Sequence, residues 1–565
     1  MDDDFYSTDA SDTPANLLSA WTYALPAPSS MLMTILLAFL AVILATRYLS
    51  ERPSKLVDSG NGRTVGILPY WLPFIGHGFS LDLSPHGIFA LNLGATTYNV
   101  SNLLAQKDSA VHFQSIAWIV VQKFFGVPKR SKAKYFKNWE EFNTYFIFLM
   151  KEPHLSNTLK ATTKNLERNI PQMLTFVDTE VDLQPWERFG KATYISDSET
   201  EVNLMALMRD MLGHASVPAF FGRALLDKYP ELLHDVYDFD KGTYFFLAGL
   251  PAWTPWPASA RAHTARFRLW QALDDHQRAL DATAEGKPVD PSWGDLDDVS
   301  ELIMKRNKLF RGKLNILPCI CTTDERFEVK ERADLSILWA LVVNANLVVY
   351  WQILNILAQP GLLDRIRAEI SPYATVSKPF SIGTISEAPK LTISHDALSK
   401  DCPLLRSTYL ECLRLFNQPW SVRQIATDVT ITGDKKASNP VSFVMHEGEY
   451  VTLPHDLHMR DPKYFKDPMA FDPERFIVHN DDGSLSTNVG TIRPYGGGPS
   501  MCKGRVYAEK ECLTLVAGVL AFWDLEPADK RAGWEIPEQV KTSAVSKPVH
   551  DTRVRIKRRK FDWEL

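Results

Sequence analysis

The stretch RPYGGGPSMCKGR, from Arg493 to Arg505, places one of only six cysteines of the chain among glycines and a proline. A cysteine thiolate is a strong, soft ligand for iron, and it needs a shielded pocket in which backbone N–H groups point at the sulfur. Gly498 and Gly504 would let the backbone turn tightly and approach a flat cofactor closely. The stretch therefore predicts that Cys502 binds a metal.

The residues after this cysteine, RVYAEKECLTLVAGVLAFW, are typical of a helix that begins just behind the sulfur. The positive end of that helix would lie near an anionic thiolate and stabilise it. Tyr495 would pack against the same cofactor. A buried structural cysteine in a glycine-rich turn is the competing interpretation, and the loop alone does not exclude it.

Two further motifs lie upstream of the loop. In LLRSTYLECLRLF, Glu411 and Arg414 are three residues apart, so on a helix they share a face and can pair while guanidinium donors stay free. Such a pair on its own is usually a solvated ion pair. FDPERF then supplies Arg475, and SVRQIATDVTITG supplies Arg423, so candidate cations precede the cysteine loop along the chain.

The order of these motifs, E-x-x-R, then P-x-R-F, then the cysteine loop, resembles the cytochrome P450 family. Tyr495, Gly498, Cys502 and Gly504 fit its haem-binding signature F-x-x-G-x-x-x-C-x-G, with tyrosine in the aromatic place. The resemblance covers nearly the whole chain after residue 66. It implies the cytochrome P450 fold, mainly α with a small β component, and haem b with Cys502 as the axial iron ligand.

The resemblance also implies roles for the remaining motif residues. Glu411, Arg414 and Arg475 would form a buried ion network that holds the cysteine loop in place and takes no part in catalysis. Arg423 would reach a haem propionate. Ser500 stands where many members of the family carry a basic residue, so Arg493 would share the propionate charge with Arg423.

Several phrases, WALVVNANLVVYWQ and VRQIATDVTI among them, look closest to the branch of prostacyclin synthase and the sterol and bile-acid hydroxylases, and GGGPSMCKGR resembles enzymes of filamentous fungi. The resemblance implies oxidation of a hydrophobic terpenoid, steroid-like or polyketide-derived metabolite in secondary metabolism. Electrons would come from NADPH through NADPH-cytochrome P450 reductase. By the same analogy the substrate pocket is formed by Trp339 to Tyr350, Asn417 to Val422 and Thr542 to Val549.

The central helix departs from the family pattern. Most members carry A/G-G-x-D/E-T there, where the acid and the threonine relay protons while dioxygen is cleaved. Aligning this helix puts Asn346 at the acid and Leu347, which cannot carry a proton, at the threonine. Asn344 shares a face with Leu347, whereas Asn346 points about 200° away from Asn344. We therefore expect Asn344 near the haem and keep both asparagines as catalytic candidates, with an interhelical hydrogen bond as the alternative role of each.

The missing threonine leaves two function classes open. The first is a monooxygenase, which inserts one atom of dioxygen into the substrate. The second is a haem-thiolate isomerase or dehydratase, which rearranges an oxygenated substrate and needs no reductase. The resemblance favours the monooxygenase, because true hydroxylases of the same branch share the altered helix.

The N-terminal region predicts a membrane anchor. No charge lies between Asp12 and Arg47, and the run from Met31 to Thr46 is almost wholly apolar, close to the roughly 20 residues of a membrane-spanning helix. A cleaved signal peptide is the alternative, but the basic start that it needs is missing. Arg47, Arg52 and Lys55 follow the run, which places the remainder in the cytosol by the positive-inside rule.

We therefore expect a lumenal tail over residues 1–30, a single-pass transmembrane anchor over 31–49 in the endoplasmic reticulum membrane, a linker over 50–66 and a cytosolic haem-thiolate domain over 67–565. The net charge of -5 gives no sign of nucleic-acid binding. The six cysteines include no C-x-x-C pair, which argues against a zinc site or a disulfide scaffold and for a reducing compartment.

Overall fold

The computed structural model describes residues 30–50, 62–64, 97–294, 296–312, 326–379, 381–382, 385–386, 389–436, 440–540, 542 and 544–561. The chain divides into two compact units. One contains the helix Ser30–Ser50. The other contains Leu56–Thr64 and the chain from Pro85 to Leu565, and it holds every candidate site residue. Most of the predicted tail (1–30) and linker (50–66), and the beginning of the predicted haem-thiolate domain (67–96), lie outside the described residues.

The larger unit is mainly helical, as the sequence predicts. Its α-helices are Thr97–Leu104, Gln114–Ile119, Lys132–Lys137, Trp139–Tyr145, His154–Asn169, Pro185–Phe189, Leu204–Phe221, Arg223–Lys228, Leu232–Asp240, Thr243–Leu247, Pro257–Ala284, Glu301–Arg311, Leu335–Val343, Ala345–Ala358, Leu362–Ile370, His395–Lys400, Pro403–Phe416, His455–Met459 and Arg505–Phe522. A π-helical turn, Val120–Phe124, follows the second of them.

The β component consists of small sheets. One has four antiparallel strands in the order Trp523–Pro527, Arg553–Arg558, Glu199–Asn203 and Thr193–Ser196. Two have three strands, in the orders Tyr450–Pro454, Trp420–Ile425, Val111–His112 and Gly62–Thr64, Ser442–Met445, Val429–Ile431. Two-stranded pairs are Ile477–His479 with Leu485–Thr487, Gln539–Val540 with Lys547–Pro548, Ala374–Ser377 with Lys390–Ile393, and Ser381–Ile382 with Ile385–Ser386.

The main core is built on three helices. Ala345–Ala358 and Arg505–Phe522 are buried along almost their full length and pack against each other and against Pro403–Phe416. A helix that is apolar on all sides can be stable only when it is surrounded by protein. Trp351 and Phe416 illustrate the packing, because their rings stack with centroids 4.1 Å apart. This core positions the segment that begins with the cysteine loop.

The central helix differs from the sequence expectation in one respect, because it is interrupted. Leu335–Val343 and Ala345–Ala358 are separate helices, and Asn344 lies between them. The side-chain amide of Asn346 donates to the carbonyl oxygen of Val342, which is the acceptor that the backbone N–H of residue 346 would use in a continuous helix. Side-chain donors that compete for backbone carbonyls bend helices in this way.

The helix Ser30–Ser50 is apolar and its described side chains are largely exposed, Leu37 to 63%. Among the described residues, Leu335–Ala358 is the segment long and apolar enough to cross a membrane, and Met33–Leu49 is a shorter apolar helix. Because 83% of the apolar window in Leu335–Ala358 is buried inside the protein, that segment is a core helix.

Candidate functional site

The cysteine loop, Arg493 to Arg505, turns where its glycines allow it. Gly496 and Gly498 have φ values of 73° and 69°, a region that glycine enters without steric cost. A Cβ atom on Gly498 would also collide with the carbonyl oxygen of Leu104. The backbone N–H of Cys502 donates to the carbonyl oxygen of Tyr495 at 3.0 Å and closes the loop. Gly504 has an ordinary φ of -86° and begins the following helix.

Cys502 differs from the other described cysteines, because it is exposed while Cys402, Cys412 and Cys512 are buried. The surrounding protein nevertheless desolvates its thiol and raises the pKa, which the backbone N–H groups of Gly504 and Arg505 partly offset. Cys502 is therefore an exposed residue whose thiol is nevertheless largely surrounded by protein atoms. Two N–H donors aimed at the sulfur fit a thiolate ligand, as the sequence analysis requires.

No group of three or more His, Cys, Asp or Glu side chains that could hold a metal ion occurs in the part of the chain that the structure describes. A metal bound by several protein side chains therefore has no candidate site there. A single cysteine on this loop suits a metal that brings its other ligands with it, as in a macrocycle.

Glu411, Arg414 and Arg475 come together behind the loop. The guanidinium of Arg414 donates from Nε and Nη2 to the two carboxylate oxygens of Glu411, both at 2.8 Å, and both residues are fully buried. Arg475 Nε lies 3.1 Å from the same carboxylate, with its side chain 11% exposed. Arg414 Nη1 also donates to the carbonyl oxygens of Met459 and Pro468, at 2.8 and 2.6 Å. The network therefore ties the helix Pro403–Phe416 to the segment before the loop.

Two contacts connect this helix directly to the cysteine loop. Asn417, at the C-terminal end of the helix, donates from Nδ2 to the carbonyl oxygen of Pro494 at 2.7 Å. The hydroxyls of Tyr409 and Tyr495 are 2.5 Å apart, and burial raises the pKa of both phenols. Sequence reasoning identified Tyr495 and missed Tyr409, and it placed Asn417 in a pocket segment without predicting this contact. The position of Asn417, directly after the E-x-x-R helix, is the signal that would have suggested a capping or linking role.

Two arginines lie at the beginning of the loop: Arg423 contacts it from another strand, and Arg493 is its first residue. Arg423 Nη2 donates to the carbonyl oxygen of Gly497 at 3.0 Å and to the hydroxyl of Ser500. Arg493 Nη2 donates to the hydroxyl of Ser101 at 2.6 Å. Desolvation lowers the pKa of both guanidinium groups. Neither is within ion-pair distance of a carboxylate among the described residues, although the carboxylate of Asp108 interacts with Arg423 at longer range.

The interruption of the central helix separates the two asparagine candidates. Asn346 is buried, and its Oδ1 atom has no hydrogen-bond partner among the described residues. The side chain of Asn344 is half-buried and makes no hydrogen bond to any described group, whereas its carbonyl oxygen accepts from the N–H of Val348 at 3.3 Å. Leu347 is buried in the main core. The structure therefore provides two amide groups with spare hydrogen-bonding capacity next to the break.

Two of the three predicted pocket segments contact each other directly, and a residue just beyond the third contacts one of them. Asn417 forms an antiparallel bridge with Val545, and the N–H of Gln418 donates to the carbonyl oxygen of Ala544 at 2.9 Å. The indole N–H of Trp351, just beyond the predicted central segment, donates to the carbonyl oxygen of Ser546 at 2.8 Å. A separate cavity of about 580 Å³ borders the loop at Tyr495 to Gly498, but Cys502 does not line it.

A buried carboxyl supports the cysteine helix from behind. Glu511 is 2% exposed and accepts hydrogen bonds from the hydroxyls of Ser216 and Tyr507, the latter at 3.2 Å. Burial raises the pKa of Glu511 to about 7. Tyr507 is in turn 2.7 Å from the hydroxyl of Thr162, so three helices share this polar cluster. Sequence reasoning missed it, since no pattern marks a single core glutamate.

Comparison with known proteins agrees with this geometry. The model of the family described as "Cytochrome P450" matches residues 335–552, which include the central helices, the E-x-x-R helix and the cysteine loop. This part of the chain is a cytochrome P450 domain. As in other P450 proteins, its cofactor is haem b held by a cysteine thiolate, and the enzyme is a monooxygenase.

Three relatives show the range of the similarity. The P450 is 24% identical to cytochrome P450 monooxygenase poxD of Penicillium oxalicum over 83% of this chain and 89% of that one. It is 24% identical to cytochrome P450 monooxygenase efuG of Hormonema carpetanum over 59% of this chain and 60% of that one. It is 26% identical to 25-hydroxycholesterol 7-alpha-hydroxylase of Rattus norvegicus over 41% and 53%. The resemblance to the fungal and sterol-hydroxylase branch is thereby confirmed.

Proposed function

We propose that this P450 is a membrane-anchored monooxygenase of secondary metabolism that oxidises a hydrophobic terpenoid, steroid-like or polyketide-derived molecule with dioxygen and NADPH-derived electrons. The single observation that carries the proposal is the environment of Cys502, an exposed residue of the glycine-rich loop whose thiol interacts with the backbone N–H groups of Gly504 and Arg505. The substrate class rests on the apolar pocket segments and on the named activities of the fungal and mammalian relatives.

The residues of the chain fit a bound haem. Cys502 would supply the thiolate ligand, and the backbone N–H groups of Gly504 and Arg505 would spread the negative charge of the sulfur. Arg423 and Arg493 would bind the propionates, which would give each cation an anion within ion-pair distance that it lacks among the described residues. Haem bound in this way would supply the site of dioxygen activation, and thiolate ligation favours cleavage of the O–O bond.

The proton path of this chain differs from that of most P450 proteins. Leu347 has no exchangeable proton, so the acid-threonine relay of the family cannot operate here. Asn344, whose amide is not committed to a described partner, would hold a water molecule or a substrate hydroxyl that moves the proton. Asn346 would maintain the break in the helix. Its side-chain amide donates to the carbonyl oxygen of Val342, which would accept from the backbone N–H of residue 346 in a continuous helix.

The alternative activity, an isomerase or dehydratase that needs no reductase, is not favoured, because the relatives named above are monooxygenases and a hydroxylase. The two are separated by incubating microsomes that contain the protein with candidate metabolites, with and without NADPH. The proposal expects product only with NADPH and NADPH-cytochrome P450 reductase. Full turnover without either would contradict it.

The anchor and the location in the endoplasmic reticulum are part of the same proposal. The helix Ser30–Ser50 has 21 residues and a length of about 32 Å, enough to cross a hydrocarbon core of about 30 Å. Deleting Met1 to Glu51 should yield a haem-loaded enzyme that partitions less into membranes. Unchanged membrane binding of the truncated enzyme would contradict the anchor.

The sequon at Asn99 does not report topology, although its sequence suggests that it would. Asn99 is 4% exposed, and its Nδ2 atom donates to the carbonyl oxygens of Thr432 and Val441, both at 3.1 Å. A glycan on this buried amide would break both bonds, so the folded domain does not carry one on either side of a membrane. A cysteine-accessibility or protease-protection assay on the catalytic domain is therefore the appropriate test of its cytosolic location.

A further inference from the structure

Asp240 joins two of the predicted pocket segments. It is the last residue of the helix Leu232–Asp240, and its side chain is 8% exposed. Its Oδ1 atom accepts from the indole N–H of Trp339 at 3.0 Å, and its Oδ2 atom accepts from Lys547 Nζ at 2.6 Å. Both carboxylate oxygens are thus occupied, and the central helix and the strand Lys547–Pro548 meet at one buried charge.

A second cation lies beside this pair. Arg209 Nη2 is 4.0 Å from Oδ2 of Asp240, beyond hydrogen-bond distance, and the Arg209 side chain is 6% exposed. Its guanidinium stacks on the ring of Tyr237 at 3.8 Å. Its Nε and Nη2 atoms have no hydrogen-bond partner among the described residues. The neighbouring carboxylate of Asp210 lies instead 3.4 Å from His214.

The cluster therefore has more donors than acceptors. Lys547 carries three N–H donors and Arg209 five, whereas Asp240 is the acceptor that they share and Trp339 already uses one of its oxygens. Buried donors in native proteins nearly always find an acceptor, so a surplus of this kind points to a partner that the described residues do not supply.

The surroundings of the cluster are aromatic. Trp339 contacts Phe124 edge-on with ring centroids 5.5 Å apart, and Phe124 stacks on Phe239, the residue next to Asp240, at 4.4 Å. An apolar wall with a few convergent polar groups is the composition of a small-molecule site, in which the polar groups fix the orientation of the ligand.

We propose that Lys547 and Arg209 bind a carboxylate of the substrate, with Asp240 holding the two cations in position until the substrate arrives. This inference rests on the proposed function, because it names the polar group that a hydrophobic substrate of this P450 carries. A planar carboxylate matches the guanidinium of Arg209, and Lys547 is 25% exposed and so can reach a ligand without leaving Asp240.

The test compares decanoate with decan-1-ol on the full-length, haem-loaded enzyme. The two probes have the same chain length and differ in charge. Dissociation constants are measured by calorimetry and by the perturbation of the haem absorption spectrum. The wild-type enzyme should bind decanoate at least about tenfold more tightly than decan-1-ol, as a charge-assisted hydrogen bond in a buried site permits.

Lys547→Met should reduce this preference to less than about threefold while leaving the affinity for decan-1-ol unchanged, which shows that the pocket is intact. Lys228→Met is the matched control, because Lys228 is also 25% exposed and lies 3.3 Å from an aspartate, Asp290, outside the cluster. It should retain the preference. Asp240→Asn removes the competing carboxylate and should increase the preference.

Equal binding of the two probes by the wild-type enzyme, or a preference that survives in Lys547→Met, would overturn the inference and leave the hydrophobic pocket of the proposed function standing. Failure of the wild-type enzyme to bind either probe would contradict both. The two failures are therefore distinguishable in one set of titrations.

Discussion

The cysteine loop and the interrupted central helix contribute to the same site but are built in opposite ways. The loop is held by Tyr495, Asn417 and Arg423, and behind them lies the fully buried pair of Glu411 and Arg414. At the central helix, the Asn344 side chain and Oδ1 of Asn346 lack described partners, whereas at the loop this holds only for Oδ1 of Asn417 among the groups just named.

This difference separates two tasks of the site. Holding a metal ligand in one geometry requires a rigid surround in which each polar group is satisfied. Moving protons requires groups whose hydrogen-bonding capacity is still free for water or substrate. The variants below test each side of the comparison, from the largest expected effect to the smallest.

Cys502→Ala should abolish both thiolate ligation and activity, since no other described cysteine is exposed. The measurement is the absorption spectrum of the ferrous carbon monoxide complex. Cys412→Ala is the control, because Cys412 is buried on the E-x-x-R helix and should leave the thiolate signature in place. Persistence of that signature in the Cys502 variant would remove the basis of the site.

Arg414→Lys should destabilise the fold and lose haem. Lysine keeps the charge but cannot supply the planar fork that binds Glu411 and two backbone carbonyls, and breaking a buried pair costs about 3–5 kcal/mol. Haem content and the denaturation midpoint are measured. Arg365→Lys is the matched control at an exposed arginine-glutamate pair, where about 0–1 kcal/mol is expected. A stable, haem-loaded Arg414 variant with altered turnover alone would indicate a catalytic role.

Glu511→Gln should flatten the dependence of stability on pH. The folded carboxyl has a pKa of about 7 against an ordinary value of 4.5, so its burial costs nothing below about pH 4.5 and becomes destabilising as the pH rises to about 7. The full difference corresponds to about 3 kcal/mol. Denaturation at pH 5 and pH 8 (about one to two units on either side of neutrality) measures it, with Glu509→Gln on the same helix as control. An unchanged slope would show that Glu511 does not titrate in this range.

Leu347→Thr should give the smallest effect on structure and a measurable one on chemistry. The substitution places a hydroxyl three residues after the uncommitted amide of Asn344, so the fraction of NADPH lost to peroxide should change severalfold, about 1 kcal/mol in relative barrier height. Asn344→Leu should lower the product formed per NADPH. Haem content should be normal in both. An unchanged ratio of product to peroxide in both variants would show that the proton path does not use the residues at the interruption of the central helix.

The cysteine loop and the residues that hold it could be predicted from the sequence, because they belong to motifs that follow one another in a recognisable order. Tyr495, Cys502 and the E-x-x-R pair are found by type and spacing, and the structure brings them together. Gly498 is explained by its positive φ and by Leu104, a contact far away in sequence that no local pattern contains.

The other side could not be predicted in the same way. A run of apolar residues indicates a helix, but the break at Asn344 depends on which acceptor the amide of Asn346 selects, and periodicity does not encode that choice. The clusters around Asp240 and Glu511 join elements hundreds of residues apart. In the sequence, each residue of these clusters looks like an ordinary surface or core residue, so the clusters can be recognised only in the folded structure.

The most direct test of the central claim is the origin of the oxygen in the product. The reconstituted enzyme, with reductase, NADPH and a substrate identified in microsomes, is supplied with isotopically labelled dioxygen. The account predicts one labelled oxygen atom in the product, with NADPH consumed in proportion. Full turnover in the absence of dioxygen or reductant, with no label in the product, would contradict it.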